Sequence, residues 1–120
     1  MNIIRVVLIL IFALTQVAHA SKAVTTRIPA FSNHKVSVWE TIIYPSAHQA
    51  LKMHRHDHDR VVVALDNGVI KVTNKKGKTH LLKLSKNKAY YLPKDIPGEL
   101  HNDQNMSAHP IRLFVIQLNS

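Results

Sequence analysis

The chain is a succession of short β-type runs separated by turn residues, and no persuasive helical period appears beyond the first twenty residues. Residues 36–44 (VSVWETIIY) are rich in β-branched and aromatic side chains and stop at Pro45-Ser46. Residues 51–56 alternate, and residues 60–65 (RVVVAL) end in Asp66-Asn67-Gly68, where Asn-Gly supplies the positive φ angles of a tight hairpin. Residues 69–73 lead to a second turn at 74–78 that contains Gly77. Further runs at 79–84, 89–92, 99–102 and 111–118 complete the series. Many short strands at near-regular spacing predict an all-β sandwich or barrel. There is no internal repeat, low-complexity tract or linker. Residues 21–35 read as an N-terminal arm or an added edge strand, and 36–120 as one β domain.

Two of these runs are apolar on both faces. In RVVVAL, Val62 and Ala64 share one side while Val61, Val63 and Leu65 share the other. In the last run, Ile111, Leu113, Val115 and Gln117 oppose Arg112, Phe114, Ile116 and Leu118. A strand that buries both faces needs cover outside the barrel as well as filling inside it. The N-terminal arm is one candidate for that cover. A homodimer packed through an outer sheet face is the expectation preferred here.

Residues 1–20 have the parts of a secretory signal peptide: a single charge at Arg5, an apolar stretch, and a small-x-small end at Ala18-His19-Ala20. The apolar core is shorter than the roughly 18–20 residues that span a bilayer. Export to the periplasm or the medium, with cleavage before Ser21 and no membrane span afterwards, is the expectation. The sequence contains no cysteine, so neither a disulfide nor a lipid-modified cysteine supports the exported domain. After cleavage, fifteen basic residues face seven acidic ones, a balance of +8 with histidine neutral. Such a charge favours anionic ligands or acidic surfaces. Nucleic acid is disfavoured as a partner, because no basic helix, RNP-like motif or aromatic stacking strip accompanies the charge. The densest basic group, Lys75, Lys76 and Lys78, falls at a predicted hairpin tip, where solvated lysines are ordinary.

The segment His54-Arg55-His56-Asp57-His58-Asp59-Arg60 carries the most chemistry. Strand alternation places His54 and His56 on one face, near enough to chelate one ion, and His58 continues the same parity. A lone H-x-H is a weak signal, but here it follows a strand and a turn and precedes a valine-rich strand. In this context HRHDHDRVVVALDNG resembles the first motif of the cupin superfamily, with His54 and His56 on its two histidine positions. AYYLPKDIPGELHN resembles the second motif in its strand, Pro93, loop and Asn102. The resemblance covers about residues 36–118. It is nearest to small single-domain cupins of the β-alanine-degradation type, through WETIIYP and the HRHDHD run. It implies a double-stranded β-helix, or jelly-roll, barrel and a metal held by four side chains.

The departures from that pattern shape the functional expectation. The glutamate position of the first motif falls on Arg60, and the histidine position of the second on Gly98. His101 lies three residues further on, facing the opposite way in a regular strand, and reaches the site only if Gly98 permits a bulge. Arginine stays charged under ordinary conditions. Two unit charges about 4 Å apart repel by roughly 4 kcal/mol at an effective dielectric near 20, and a divalent ion would suffer about twice that. An inward Arg60 suits a carboxylate or phosphate instead, which arginine binds through two parallel hydrogen bonds. The competing arrangement turns Arg60 to the rim, paired with Asp57 or Asp59.

The expectation is therefore an exported cupin-type binding protein holding a small anionic or polar ligand at His54, His56, Arg60 and Tyr91, without a tightly bound metal. Alternation sends one of Tyr90 and Tyr91 inward, and Tyr91 is assigned to the pocket. The alternative is a metal-dependent oxygenase or isomerase, as the resemblance implies. Its weakly held divalent transition metal would draw on His54, His56, His58 and His101. No catalytic residue is assigned; Trp39 reads as a core or sheet-face residue, and His34, His48, His80 and His109 as surface residues.

Overall fold

The structure, a computed structural model, describes residues 24–119. The expected export signal at 1–20 lies outside the described residues. Nine strands follow in order: β1 (Thr26–Ser32), β2 (Val36–Ile43), β3 (Leu51–His54), β4 (Arg60–Ala64), β5 (Gly68–Asn74), β6 (Thr79–Leu84), β7 (Ala89–Leu92), β8 (His101–Asn105) and β9 (Ile111–Leu118). One 3-10 turn, Ala47–Gln49, sits between β2 and β3. The strands form two antiparallel sheets, β1-β2-β9-β4-β7 and β3-β8-β5-β6. Only β1–β2 and β5–β6 are hairpins within one sheet; every other connection crosses between sheets. This is the expected all-β jelly-roll arrangement.

One predicted turn has a different cause. The segment Asp66-Asn67-Gly68 joins β4 and β5, which belong to opposite sheets, so it is no hairpin, and neither Asn67 nor Gly68 takes a positive φ. Gly68 is needed for space, since a Cβ there would stand 2.3 Å from Ile111 Cδ1. Asp66 fixes the crossing by accepting bonds from the Arg112 backbone N–H and its guanidinium. The true hairpin, β5–β6, turns at Gly77 with φ +82°, and Asn74 Oδ1 accepts from the amides of Lys76 and Lys78.

Alternation packs one face of each sheet inward. Ile43, Ala64, Ile70, Leu84 and Ile111 close one end of the barrel, where buried Asn105 donates to the Ile43 and His109 carbonyls. Moving along the same strands, Leu113, Val62, Val115 and Val72 continue the apolar lining. The inward positions then become polar: Arg60 on β4, Asp103 and His101 on β8, and His54 on β3. The barrel is thus plugged at one end and open, with charged walls, at the other.

Two loops form the open end. The loop at 55–59 and the loop at 93–100 are joined where Asp95 N–H donates to the His56 carbonyl and Asp95 Oδ2 accepts from His56 N–H, at 2.8 and 2.6 Å. Asp59 adds a second join, accepting from Lys94 N–H at 2.8 Å and from the Tyr91 hydroxyl.

Candidate functional site

His54, His56 and His101 meet at the open end, each offering one ring nitrogen within 4.8 Å of the others. His54 ends β3 and pairs directly with His101, the first residue of β8. A register irregularity in β3 between Leu51 and His54 lets both of these residues face the barrel interior. His56 lies just past the strand, its ring 4.9 Å from that of His54 and 5.5 Å from that of His101. His54 Nδ1 lies 2.5 Å from the Lys52 carbonyl. In the neutral ring that contact holds the proton on Nδ1 and leaves the Nε2 lone pair facing the group. Two acids support the cluster. Asp95 Oδ2 is 3.4 Å from His101 Nδ1, and Asp103 Oδ2 is 3.4 Å from His54 Nε2.

The cluster borders a cavity of about 600 Å³ that runs into the barrel. Its deep walls are apolar, with Val62, Ile70, Val72, Leu82, Leu113 and Val115. Arg27, Trp39, Arg60, Lys78 and Lys94 add polar and basic groups to the lining. Arg60 points inward from β4, is only 8% exposed, and forms no ion pair among the described residues. The acids that could pair with it at the rim are occupied elsewhere: Asp57 with Arg55, and Asp59 with Tyr91 and Lys94. Among the described residues, three buried side-chain polar atoms lack a hydrogen-bond partner: Trp39 Nε1, His54 Nε2 and Arg60 Nη1. Trp39 and Arg60 line the cavity, and His54 stands beside them in the histidine group. Arg27 stacks over Trp39, 5.2 Å from the ring centroid.

The protonation states follow from these surroundings. Burial, then the charge of Arg60, pushes His56 down to about 3. Burial also lowers His101, against the pull of Asp103 and Asp95. His54 is raised, chiefly by its contact with Asp103. Burial opposes ionisation of Asp103, yet the surrounding imidazoles hold its carboxyl below the usual range. Burial lowers the pKa of Arg60 as well. At neutral pH, then, His56 and His101 present uncharged rings, the form that binds cations.

The sequence-predicted residues divide into two groups. His54, His56, His101 and Arg60 come together at the cavity. His58 does not; it borders a separate shallow depression with Asp57, Asp59, Lys94 and Leu118. Tyr91 stands on the outer face of its sheet and is 59% exposed. The inward tyrosine is Tyr90, which pairs with inward Val62, packs against the core and accepts from Ser85 N–H. Trp39, Asp95, Asp103 and Arg27 were not predicted as site residues. Parity with Thr41 and Ile43 marks Trp39 as inward, and parity with His101 does the same for Asp103. His80, expected on the surface, is exposed but lines the cavity mouth.

No protein-family model matches the chain, and neither does any curated protein. Solved structures do. A cupin domain from Bordetella pertussis Tohama I superposes with TM-score 0.67 at 24% identity, over 82% of this chain and 99% of that one. An RmlC-like cupin with a double-stranded β-helix fold from Methanocaldococcus jannaschii gives TM-score 0.60 at 12% identity, over 82% and 83%. A double-stranded β-helix protein from Klebsiella pneumoniae gives TM-score 0.60 at 17% identity, over 83% and 81%. At these identities the likeness is one of fold, and that fold is the double-stranded β-helix of the cupins.

Proposed function

We propose that the chain is an exported, dimeric binding protein that holds a small anionic ligand in the open end of its barrel, anchored by Arg60. One observation carries this reading: the Arg60 guanidinium is buried at the cavity wall with Nη1 unpaired. Removing a charge from water costs several kcal/mol when nothing compensates it. Asp95 and Asp103 act on it only at longer range. A carboxylate or phosphate would supply the missing acceptor through the planar fork of arginine. Trp39 Nε1, also a donor, would take a second acceptor atom of the same ligand.

A metal-dependent enzyme, of oxygenase or isomerase type, is the second reading, and the three convergent imidazoles favour it. The donor set fits a first-row transition ion such as zinc, iron, nickel or copper. His54, His56 and His101 would hold it, and a bound ion would supply Lewis-acid or redox chemistry. Asp95 and Asp103 would orient the rings. The positive charge of Arg60, where a cupin of the usual pattern has an acid, opposes tight retention. The narrower likeness to β-alanine-degradation-type cupins rests on the HRHDHD and WETIIYP segments alone and belongs to this proposal.

One preparation tests both readings. Protein purified without a histidine tag is analysed for metal content, then stripped with a chelator. It is next titrated with acetate, benzoate and phosphate by calorimetry and thermal shift. A ligand at a hundred times its Kd adds about 2.7 kcal/mol of stability. At least one anion is expected to bind, and Arg60→Met to abolish that binding. Indifference to all three anions, or a hit that survives Arg60→Met, sinks the anion reading. Stoichiometric metal in the isolated protein, lost in the His54→Ala/His56→Ala variant, would establish the metal centre.

A further inference from the structure

The positive charge of the chain is gathered in one stretch. Residues 67–94 hold eight lysines and no acid, while the rest of 21–120 holds seven basic and seven acidic residues. The whole excess of +8 thus belongs to β5, β6, β7 and the loops beside them. Among the described residues, none of these lysines forms an ion pair. Charge of one sign repels itself and costs stability, so its concentration calls for a partner of opposite charge. The fold lays it along one side of the barrel, where β6 is the free edge of the four-stranded sheet. Lys75, Lys76 and Lys78 stand at the β5–β6 tip, and Lys86 and Lys88 beyond the other end of β6, all exposed. From Lys78 to Lys86 the edge spans about 26 Å at the ordinary strand rise. Between these ends, the outer face of the sheet sets lysines beside apolar side chains: Lys71 pairs with Leu81, and Lys83 with Val69. Leu81 is 59% exposed, and exposed Met106 lies next to Val69, donating its N–H to the Val69 carbonyl. The outward residues of β8, Asn102 and Gln104, are uncharged, so no acid stands on the outer side of β5, β6 or β8. Glu99 is the acid near the tip, one residue from Leu100, whose carbonyl accepts from Lys75 N–H. Lysine on an edge strand deters pairing with other chains, which accounts for Lys83. It does not account for the tip and turn lysines, which lie beyond the strand.

We propose that this face docks on the surface of an anionic phospholipid bilayer, with the lysines at the headgroups and Leu81 and Met106 entering the boundary beneath them. Three features favour a bilayer over a nucleic acid. All eight residues are lysines, compact point charges suited to a diffuse charged surface, and none is an arginine, whose planar fork grips single phosphates. No aromatic side chain stands on the outer side of β5, β6 or β8 to stack on a base. Protruding apolar side chains interleave the charges, as insertion at a lipid headgroup surface requires. The outer face of the other sheet, assigned to the dimer, lies across the barrel, so the two contacts do not compete. The docking is independent of Arg60 and of whatever the cavity holds.

The test uses the chain from Ser21 onward, so that the apolar stretch at 1–20 takes no part; the described fold lies within residues 24–119. Co-sedimentation is measured with vesicles of phosphatidylcholine alone and of phosphatidylcholine with one-third phosphatidylglycerol. Binding is expected to the mixed vesicles and not to the neutral ones. It is expected to fall away as salt rises from about 0.1 M to about 1 M, which shortens the screening length from about 10 Å to about 3 Å. Lys71→Gln/Lys83→Gln is expected to weaken binding about tenfold or more. Lys35→Gln/Arg55→Gln removes the same charge outside the face and is expected to weaken it far less. Equal losses in the two variants would reduce the effect to net charge and overturn the assigned face. Because the sequence contains no cysteine, Leu81→Cys and Lys35→Cys can each be labelled at a single site with a polarity-sensitive dye. Emission is expected to shift to the blue at position 81 on mixed vesicles and to stay unchanged at position 35. No shift at 81 overturns the docked orientation, and no binding to mixed vesicles overturns the proposal outright. Preference for a single-stranded oligonucleotide over the mixed vesicles, with the same dependence on Lys71 and Lys83, would replace the bilayer by a nucleic acid.

Discussion

Arg60 and His56 show how single residues set the chemistry of this barrel. Arg60 has the strand parity of Val62 and Ala64, so its inward direction follows from alternation within RVVVAL. Sequence pattern alone could not exclude a turn toward the rim, because Asp57 and Asp59 lie adjacent in the chain. They are committed to Arg55, Tyr91 and Lys94. The inward guanidinium then helps burial hold His56 uncharged down to about pH 3. This has a measurable consequence for the metal-free protein. In the unfolded chain His56 takes up a proton as pH falls through about 6.5, its ordinary value, whereas the folded chain does not. The unfolded state thus binds more protons, and stability falls as pH drops. His101 is shifted in the same direction. His54, whose pKa is raised, is protonated in both states below that point, and Asp103, whose pKa is lowered by the imidazoles around it, stays ionised. Melting temperature is therefore expected to fall between about pH 6.5 and about pH 5, with a shallower slope in His56→Gln. Equal slopes in the two proteins would remove His56 as the cause.

At the scale of elements, the loop at 93–100 decides which side chains reach the site. The H-x-H pair and Arg60 were legible because strand alternation fixes them relative to apolar neighbours. His101 was not, because its parity was counted from Gly98 as though a strand joined them. Gly98 instead takes φ +85° in a turn, and β8 starts afresh at His101, in register with His54. No bulge between Gly98 and His101 is involved; the register irregularity lies in β3, between Leu51 and His54. Tyr91 was misplaced for a related reason: two adjacent tyrosines carry no phase of their own, and pairing with β4 supplies it. Asp95 ties this loop to the site, since its carboxylate accepts from the His56 amide and faces His101. Asp95→Ala leaves that amide without an acceptor, a loss of about 1–3 kcal/mol for a buried group and less for one partly exposed. Urea unfolding is expected to show the lower stability, and amide exchange to quicken across 93–100. Asp95→Asn, which keeps an acceptor oxygen, is expected to recover most of both. Unchanged exchange in Asp95→Ala would show that the loop is held by its backbone contacts alone.

For the whole molecule, the nine strands and their two sheets follow from short β-branched runs and turn residues. The question left by the runs apolar on both faces is what covers the outside. The described part of the N-terminal arm, residues 24–35, does not. β1 pairs edge-on with β2 and widens the five-stranded sheet in its own plane. The outer face of that sheet is consequently apolar across all five strands, with Phe31, Val38, Ile116, Val61 and Tyr91 in one register row. Phe114 and Val63 extend it in the next row, where Glu40 stands beside Phe114. Phe31 and Tyr91 at its two margins are each 59% exposed. A largely apolar face of this kind marks an association surface. A second copy of the same face is the simplest complement, because a two-fold contact needs only one such surface. Sedimentation equilibrium of the natural protein is expected to give twice the chain mass. Phe114→Glu, which sets a charge at the centre of the face while leaving the inward Leu113 and Val115 untouched, is expected to give the monomer. Phe31→Ser, at an exposed margin where folding has little at stake, is expected to weaken the dimer in the same direction. A natural protein that sediments as a monomer at micromolar concentration would remove the dimer and leave this face to some other partner. The cavity opens at the barrel end and not through this face, so a monomeric Phe114→Glu variant should retain its anion binding, and loss of both together would tie the site to the interface.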